Sequence, residues 1–284
     1  MPPELFFDAR AYLGESPAWD SRTQTLYWLD ILNKRVYGGL DVLVELDDLV
    51  GCAAPRQDGG LVLATRFGFA SLEMDSVVSS PLASLEDEPS NNRFNDGKCD
   101  LRGRFLAGTM DMKEKDPAGS LYSFDGKSIT RLLGGVTISN GLTWSPDHKT
   151  LYYINTPTRQ VQAFDYDLET GAIANPRAVV RVSDSLGWPD GMTSDMRGNL
   201  WIAIWGGAQV TKWDPNTGGL LEQIPIPALN VSSCIFGGRN LNELYVTSAR
   251  KGMDEPALER YPLSGGVFRL ETNVEGMPTF EFAG

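Results

Sequence analysis

Residues 187–203, GWPDGMTSDMRGNLWIA, end in an apolar, partly β-branched run behind a polar Gly turn, which reads as a strand. Their head holds Asp190, a carboxylate set between Pro189 and Gly191. Asp-Gly is also a tight-turn dipeptide, so taken alone the pair does no more than reverse the chain. The recurrence of this arrangement elsewhere decides the reading. Six short strands share its pattern: LYWLD from Leu26, LVLAT from Leu61, FLAGT from Phe105, LYYIN from Leu151, LWIAI from Leu200 and LYVTS from Leu244, with successive starts 35, 44, 46, 49 and 44 residues apart. Most follow a polar turn, and several precede a further strand and an Asp/Gly hairpin, as in LYSFDGKSI and VTKWDPNTGGL. Units of this size and strand content are four-stranded antiparallel sheets, and six of them predict an all-β, six-bladed β-propeller whose innermost strands surround a channel.

The 284 residues fit one such domain, 1–284. Seventeen Pro and 30 Gly suit its many turns. Ring closure calls for one terminus to complete a blade begun by the other, and either ELFFDAR or TFEFAG has the strand-like character for it. The Asp165, Asp167 and Glu169 alternation of FDYDLETG lacks the sixth-position Gly and twelfth ligand of an EF-hand, so a blade hairpin is expected there.

Composition excludes several classes. The net charge of −12 is the wrong sign for a phosphate backbone or an anionic membrane, so neither nucleic acid nor membrane is an expected partner. Cys52, Cys99 and Cys234 have no paired metal spacing and read as buried free thiols. With no signal-peptide pattern, the expected compartment is the cytosol, where the NVS sequon at Asn230 stays unused. His148 is the single histidine and sits in the polar turn SPDHK, read as a solvated surface position. Histidine-dependent triads and polyhistidine zinc sites are thereby set aside. No P-loop, dinucleotide or nucleophile-elbow motif occurs.

Aligning the repeats on the LY strand answers what Asp190 does. Glu15 lies 11 residues before Leu26, Asn140 lies 11 before Leu151, and Asp190 lies 10 before Leu200. All three therefore open the innermost strand of their blades and converge at one channel mouth, with Asn95 and Asp96 at that place in a fourth blade. Like charges gathered round an axis are costly without a cation between them. Carboxylate and amide oxygens suit a hard divalent ion, Ca²⁺, Mg²⁺ or Mn²⁺ before Zn²⁺. With no histidine to serve, Asp190 is the candidate general base as well as a ligand.

The segments GESPAWD, RFNDGKCDLRGRFLAGTM, SNGLTWSPDHKTLYY, WPDGMTSDMRGNLWIAIWGG and FGGRNLNELYVTSAR resemble, in order from Gly14 to Arg250, the senescence marker protein/gluconolactonase/luciferin-regenerating enzyme family. The resemblance implies that Glu15, Asn140 and Asp190 bind one divalent cation, Ca²⁺ first, and that Arg93 and Asn95 contact substrate. It implies hydrolysis of a sugar lactone, and a monomer is expected although the sequence does not choose the oligomeric state. A broader lactonase or phosphotriesterase and a calcium-binding regulatory propeller are its alternatives. Trp188 and Trp205 either line the mouth or pack in the core. After GTM the loop DMKEKDPAG is shorter than in many relatives, so their acidic substrate contact cannot be transferred to Lys113 or Glu114. The approach to the second blade, residues 36–51, also looks abbreviated.

Overall fold

The computed structural model describes residues 2–74 and 78–284. Six four-stranded antiparallel sheets stand round a central axis as the blades of a propeller. Their innermost strands are, from blade one to blade six, Gly14–Asp20, Val50–Pro55, Asn92–Cys99, Ser139–Trp144, Trp188–Ser194 and Asn230–Gly237. The LY segments form the second strand of each blade. Their near-continuous apolar character has a simple cause, because both faces of a blade pack against neighbouring blades. In Leu61–Thr65 the first four side chains are buried, whereas the outermost strand Gly219–Pro225 is mostly exposed.

Six apolar clusters fill the six blade interfaces. Between blades two and three, for example, Phe69 stacks on Phe124 with ring centroids 4.6 Å apart. The N-terminal strand Glu4–Phe7 pairs with Val267–Glu271 and completes blade six, so of the two termini it is ELFFDAR that closes the ring. TFEFAG has another task. The chain from Glu275 to Ala283 crosses the far end of the channel, exchanging backbone hydrogen bonds with Ser194, Met196, Pro55, Gln57 and Gly103, and it buries Phe282.

This course of the tail corrects one expectation: His148 is half-buried rather than freely solvated, with its ring edge-on to Phe280 at 5.4 Å. Cys52, Cys99 and Cys234 are free and buried. FDYDLETG forms the expected hairpin, with the Asp167 carboxylate accepting the Glu169 amide at 2.9 Å and Asp165 paired to Arg177. Among the described residues no helix is long and apolar enough to cross a membrane.

One backbone device recurs in all six blades. The pairing of each innermost strand with the second strand slips at the mouth: between Glu15 and Ala18, Val50 and Cys52, Phe94 and Asp96, Asn140 and Leu142, Pro189 and Met192, and Val231 and Ser233. A bulge breaks the strict alternation of a strand and re-aims side chains, here at the rim of the channel. Glycine makes room for it. A Cβ on Gly141 would lie 2.7 Å from the Asp190 carbonyl oxygen, and one on Gly51 would lie 2.2 Å from that of Phe94.

Candidate metal centre and substrate cavity

A cavity of about 680 Å³ opens at the bulged end of the channel. Glu15, Asn95, Asn140 and Asp190 line it together with Arg93, and each of the five is at most 5% exposed. Of the residues the blade alignment selects, Glu15, Asn95, Asn140 and Asp190 thus come together, whereas Asp96 is buried outside the lining with its Oδ1 accepting the Gly97 amide. In blade one, Ser16 takes up a left-handed conformation (φ 49°), a strained state for a non-glycine residue. From there its amide donates to Glu15 Oε2 at 3.1 Å, and its hydroxyl accepts the amide of Ala53 in blade two.

A chain of hydrogen bonds runs from blade three to blade five and fixes both amides. Arg93 Nη1 donates to Asn95 Oδ1 at 2.6 Å, and Asn95 Nδ2 donates to the Ser139 carbonyl at 2.7 Å and to Asn140 Oδ1 at 3.1 Å. Asn140 Nδ2 donates to Thr156 Oγ1 at 2.8 Å, and the Thr156 hydroxyl donates to the Pro189 carbonyl at 2.9 Å. A carbonyl only accepts, so the Thr156 proton is committed and its oxygen must accept from Asn140. The Asn140 amide nitrogen therefore faces Thr156, and Oδ1 turns the other way. By the same logic the Ser139 carbonyl orients Asn95. Thr156 lies outside the LY alignment, in the turn after the second strand, and the spacing of the repeats carries no sign of it.

The carboxylates are held in an unfavourable state. Burial, then the nearby Asp96, pushes the Glu15 carboxyl up to about 8, against the opposing pull of the Ser16 amide, Arg93 and Lys251. Burial followed by the charges of Glu15 and Asp96 drives Asp190 well above the usual carboxylate range. Burial lowers Arg93, a trend opposed by Glu114, Glu15 and Asp190. Asp190 Oδ1 is buried and has no hydrogen-bond partner. Such an orphan acceptor is costly unless a ligand completes it. Among the described residues no three His, Cys, Asp or Glu side chains cluster to hold a metal. The candidate set here is two carboxylates and an amide. Its hard oxygen donors, mutual repulsion and unpartnered atom fit a divalent cation.

The walls above are more apolar. Trp188 and Trp205, paired across adjacent strands, both line the cavity, and the Arg159 guanidinium lies 3.5 Å from the Trp188 ring centre. Asn230 lies on the same lining, buried and donating to the Lys251 carbonyl, a position that removes its sequon from solvent. Glu114 reaches the mouth and forms an ion pair with Lys251, whereas Lys113 is not part of the lining.

A six-bladed propeller with buried acidic and amide side chains at one mouth defines the class, and a family model fits it: the SMP-30/Gluconolactonase/LRE-like region matches residues 13–250. The chain belongs to that family. It is 41% identical to regucalcin of Danio rerio over 96% of this chain and 95% of that protein. Among solved structures it is similar to a luciferin-regenerating enzyme, with 33% identity and a TM-score of 0.89 over 97% of each chain. It is likewise similar to a calcium-binding protein, regucalcin, from Agrobacterium tumefaciens, with 27% identity and a TM-score of 0.91 over 98% of this chain and 96% of that one.

Proposed function

We propose that the protein is a metal-dependent lactonase that hydrolyses a sugar lactone, an aldonolactone, to its aldonic acid. Glu15, Asn140 and Asp190 would hold one divalent cation, Ca²⁺ before Mg²⁺, Mn²⁺ or Zn²⁺. The observation that carries this reading is the buried, unpartnered Oδ1 of Asp190 beside a second buried carboxylate. A bound divalent ion supplies positive charge that polarises the lactone carbonyl and stabilises the negative charge gathering on its oxygen.

The remaining work falls to the chain's own groups. Asp190 takes a proton from water as the water oxygen bonds to the carbonyl carbon. When the ring C–O bond breaks, Asp190 returns that proton to the departing ring oxygen, which leaves one hydroxy acid. Asn95 is oriented by Arg93 and the Ser139 carbonyl, and its Oδ1 keeps acceptor capacity for a substrate hydroxyl. Arg93 Nη1 is engaged with Phe94 and Asn95, so its other guanidinium nitrogens are the donors offered to substrate. Trp188 and Trp205 present apolar faces to the C–H side of a sugar ring.

A second reading, cation retention without turnover, draws support from the Agrobacterium relative, which is described as calcium-binding. One experiment separates the two. Purified protein stripped with a chelator and reloaded with each divalent ion is assayed on gluconolactone, xylonolactone and γ-butyrolactone. Ion-dependent ring opening is expected. Stoichiometric ion binding with hydrolysis no faster than the buffer rate would reject the enzyme.

A further inference from the structure

The loops that join the second and third strands of blades three and six meet over the cavity. Glu114 comes from the first loop and Lys251 from the second, and their side chains form an ion pair. In a ring of six, blades three and six are diametrically opposed. Among the described residues this ion pair alone joins two blades that are not neighbours. Both residues line the cavity, so the pair lies across its mouth, with Glu15 and Asp190 among the groups below.

Both ends of this bar are anchored. The Lys251 amide donates to the Tyr12 carbonyl at 2.9 Å, and its carbonyl accepts from Asn230 at 3.0 Å. The Glu114 amide donates to the Asp111 carbonyl at 2.9 Å. Each side chain projects from hydrogen-bonded backbone, so parting the pair requires no more than rotation of the two side chains. The two sides of the bar are unlike. On one, blades four and five contribute the apolar Ile138, Pro157, Trp188 and Trp205, whereas on the other the lining narrows to Leu13 and Glu15 at blade one, with nothing from blade two.

We propose that Glu114 and Lys251 are specificity-determining residues that form a crossbar: closed, it confines a substrate to the side walled by Ile138, Pro157, Trp188 and Trp205, and open, it admits bulkier lactones. This deepens the lactonase reading and rests on it for the substrate class. The side chains of Glu114 and Lys251 are 38% and 29% exposed. A pair so exposed is weak and screened by salt, so the bar opens readily and grades substrates instead of sealing the site.

The test compares the parent, Glu114→Gln, and the charge swap Glu114→Lys with Lys251→Glu, using two readouts. The first is independent of turnover: the stopped-flow rate at which bound Ca²⁺ passes to an excess of fluorescent chelator. In the parent this rate should rise with ionic strength. In Glu114→Gln it should start higher, by about fivefold for a pair worth ~1 kcal/mol, and lose its salt dependence. The swap should restore both parental features. The second readout is kcat/KM on γ-butyrolactone against a lactone with a bulky ring substituent. Glu114→Gln should raise the ratio of the second to the first by a similar factor. If Ca²⁺ release behaves as expected and no variant opens a lactone, the pair still controls access to the cavity, and the hydrolytic reading falls together with the pair's role in lactone choice. If lactones are hydrolysed while release rate and substrate ratio are the same in all three proteins, the crossbar is overturned.

Discussion

The innermost strand of blade two reads VGCAAP and that of blade five reads WPDGMTS, and the two share a bulge at the channel mouth and a glycine within it. In blade two the bulge places Gly51 against the backbone of Phe94 and Asn95, with Val50 and Cys52 buried on either side. There the device serves packing alone. In blade five the same device turns a carboxylate toward the axis and leaves one of its oxygens without a partner. The propeller thus supplies six equivalent rim positions, and local side-chain chemistry decides which become a site. Blades one, three, four and five carry oxygen-bearing groups there and blade six adds Asn230, while blade two presents nothing to the cavity.

The sharpest way to break this contrast is to remove the carboxylate and keep its shape. Asp190→Asn would retain a coordinating oxygen and remove the proposed base. Turnover of aldonolactones should fall by about 10²- to 10⁴-fold, the usual weight of a positioned acid-base group. Ion binding is to be measured on the same preparation, since only a loaded variant tests the base. Val50→Ala in blade two, 11 residues before Leu61 as Glu15 is before Leu26, should leave turnover near the parental rate. If metal-loaded Asp190→Asn works as fast as the parent, the rim carboxylate is not the base and the two blades differ less than claimed.

The second contrast lies in pH. Blade two has no titrating carboxyl at its rim, whereas Glu15 is raised from an ordinary 4.5 to about 8 and Asp190 shifts in the same direction. A raised carboxyl means that the folded, metal-free protein binds more protons than the unfolded chain between those limits. Its stabilising contribution is full below about pH 4.5 and is lost as pH rises toward 8, a change on the order of a few kcal/mol. Chelator-treated protein should therefore unfold more easily in denaturant at pH 8 than at pH 5.5. Saturating Ca²⁺ should flatten the slope, because the ion holds both carboxylates ionised. A metal-free protein whose stability climbs across that window would contradict the crowding of charge at this rim.

What was readable in the sequence follows from what spacing encodes. The LY strands recur at blade intervals, and the distance from each to the head of its innermost strand is nearly constant, so Glu15, Asn140 and Asp190 could be aligned without a structure. Bulges leave no such trace, because a register slip is a relation between two strands. The crossbar was hidden for a related reason: Glu114 and Lys251 are 137 residues apart, in loops whose lengths vary from blade to blade. His148 was misread because the tail that brings Phe280 to it runs under the ring from another part of the chain. Sequence alone leaves Trp188 and Trp205 between mouth and core, and both line the mouth, with Trp205 also packed against the cluster between blades one and two.

Thr156 offers the finest cut into the comparison, because it asks how far a rim group depends on neighbours that never touch the ion. Its hydroxyl passes a hydrogen bond to blade five and takes one from Asn140, which fixes the amide with Oδ1 away from the turn. Thr156→Val keeps the volume and removes the acceptor, so the Asn140 nitrogen loses its partner and the amide is free to rotate its oxygen out of place. Loss of such an outer support lowers metal affinity by about 10- to 100-fold, and a drop near the lower end is expected here because Asn95 still holds Asn140 Oδ1. Thr156→Ser restores the hydroxyl and should recover Ca²⁺ affinity in a calorimetric titration. A structural role alone would instead leave Ca²⁺ affinity unchanged in the valine variant and lower only its resistance to denaturant. That outcome would show that Asn140 holds its orientation without Thr156, and that the rim is set by the bulge itself.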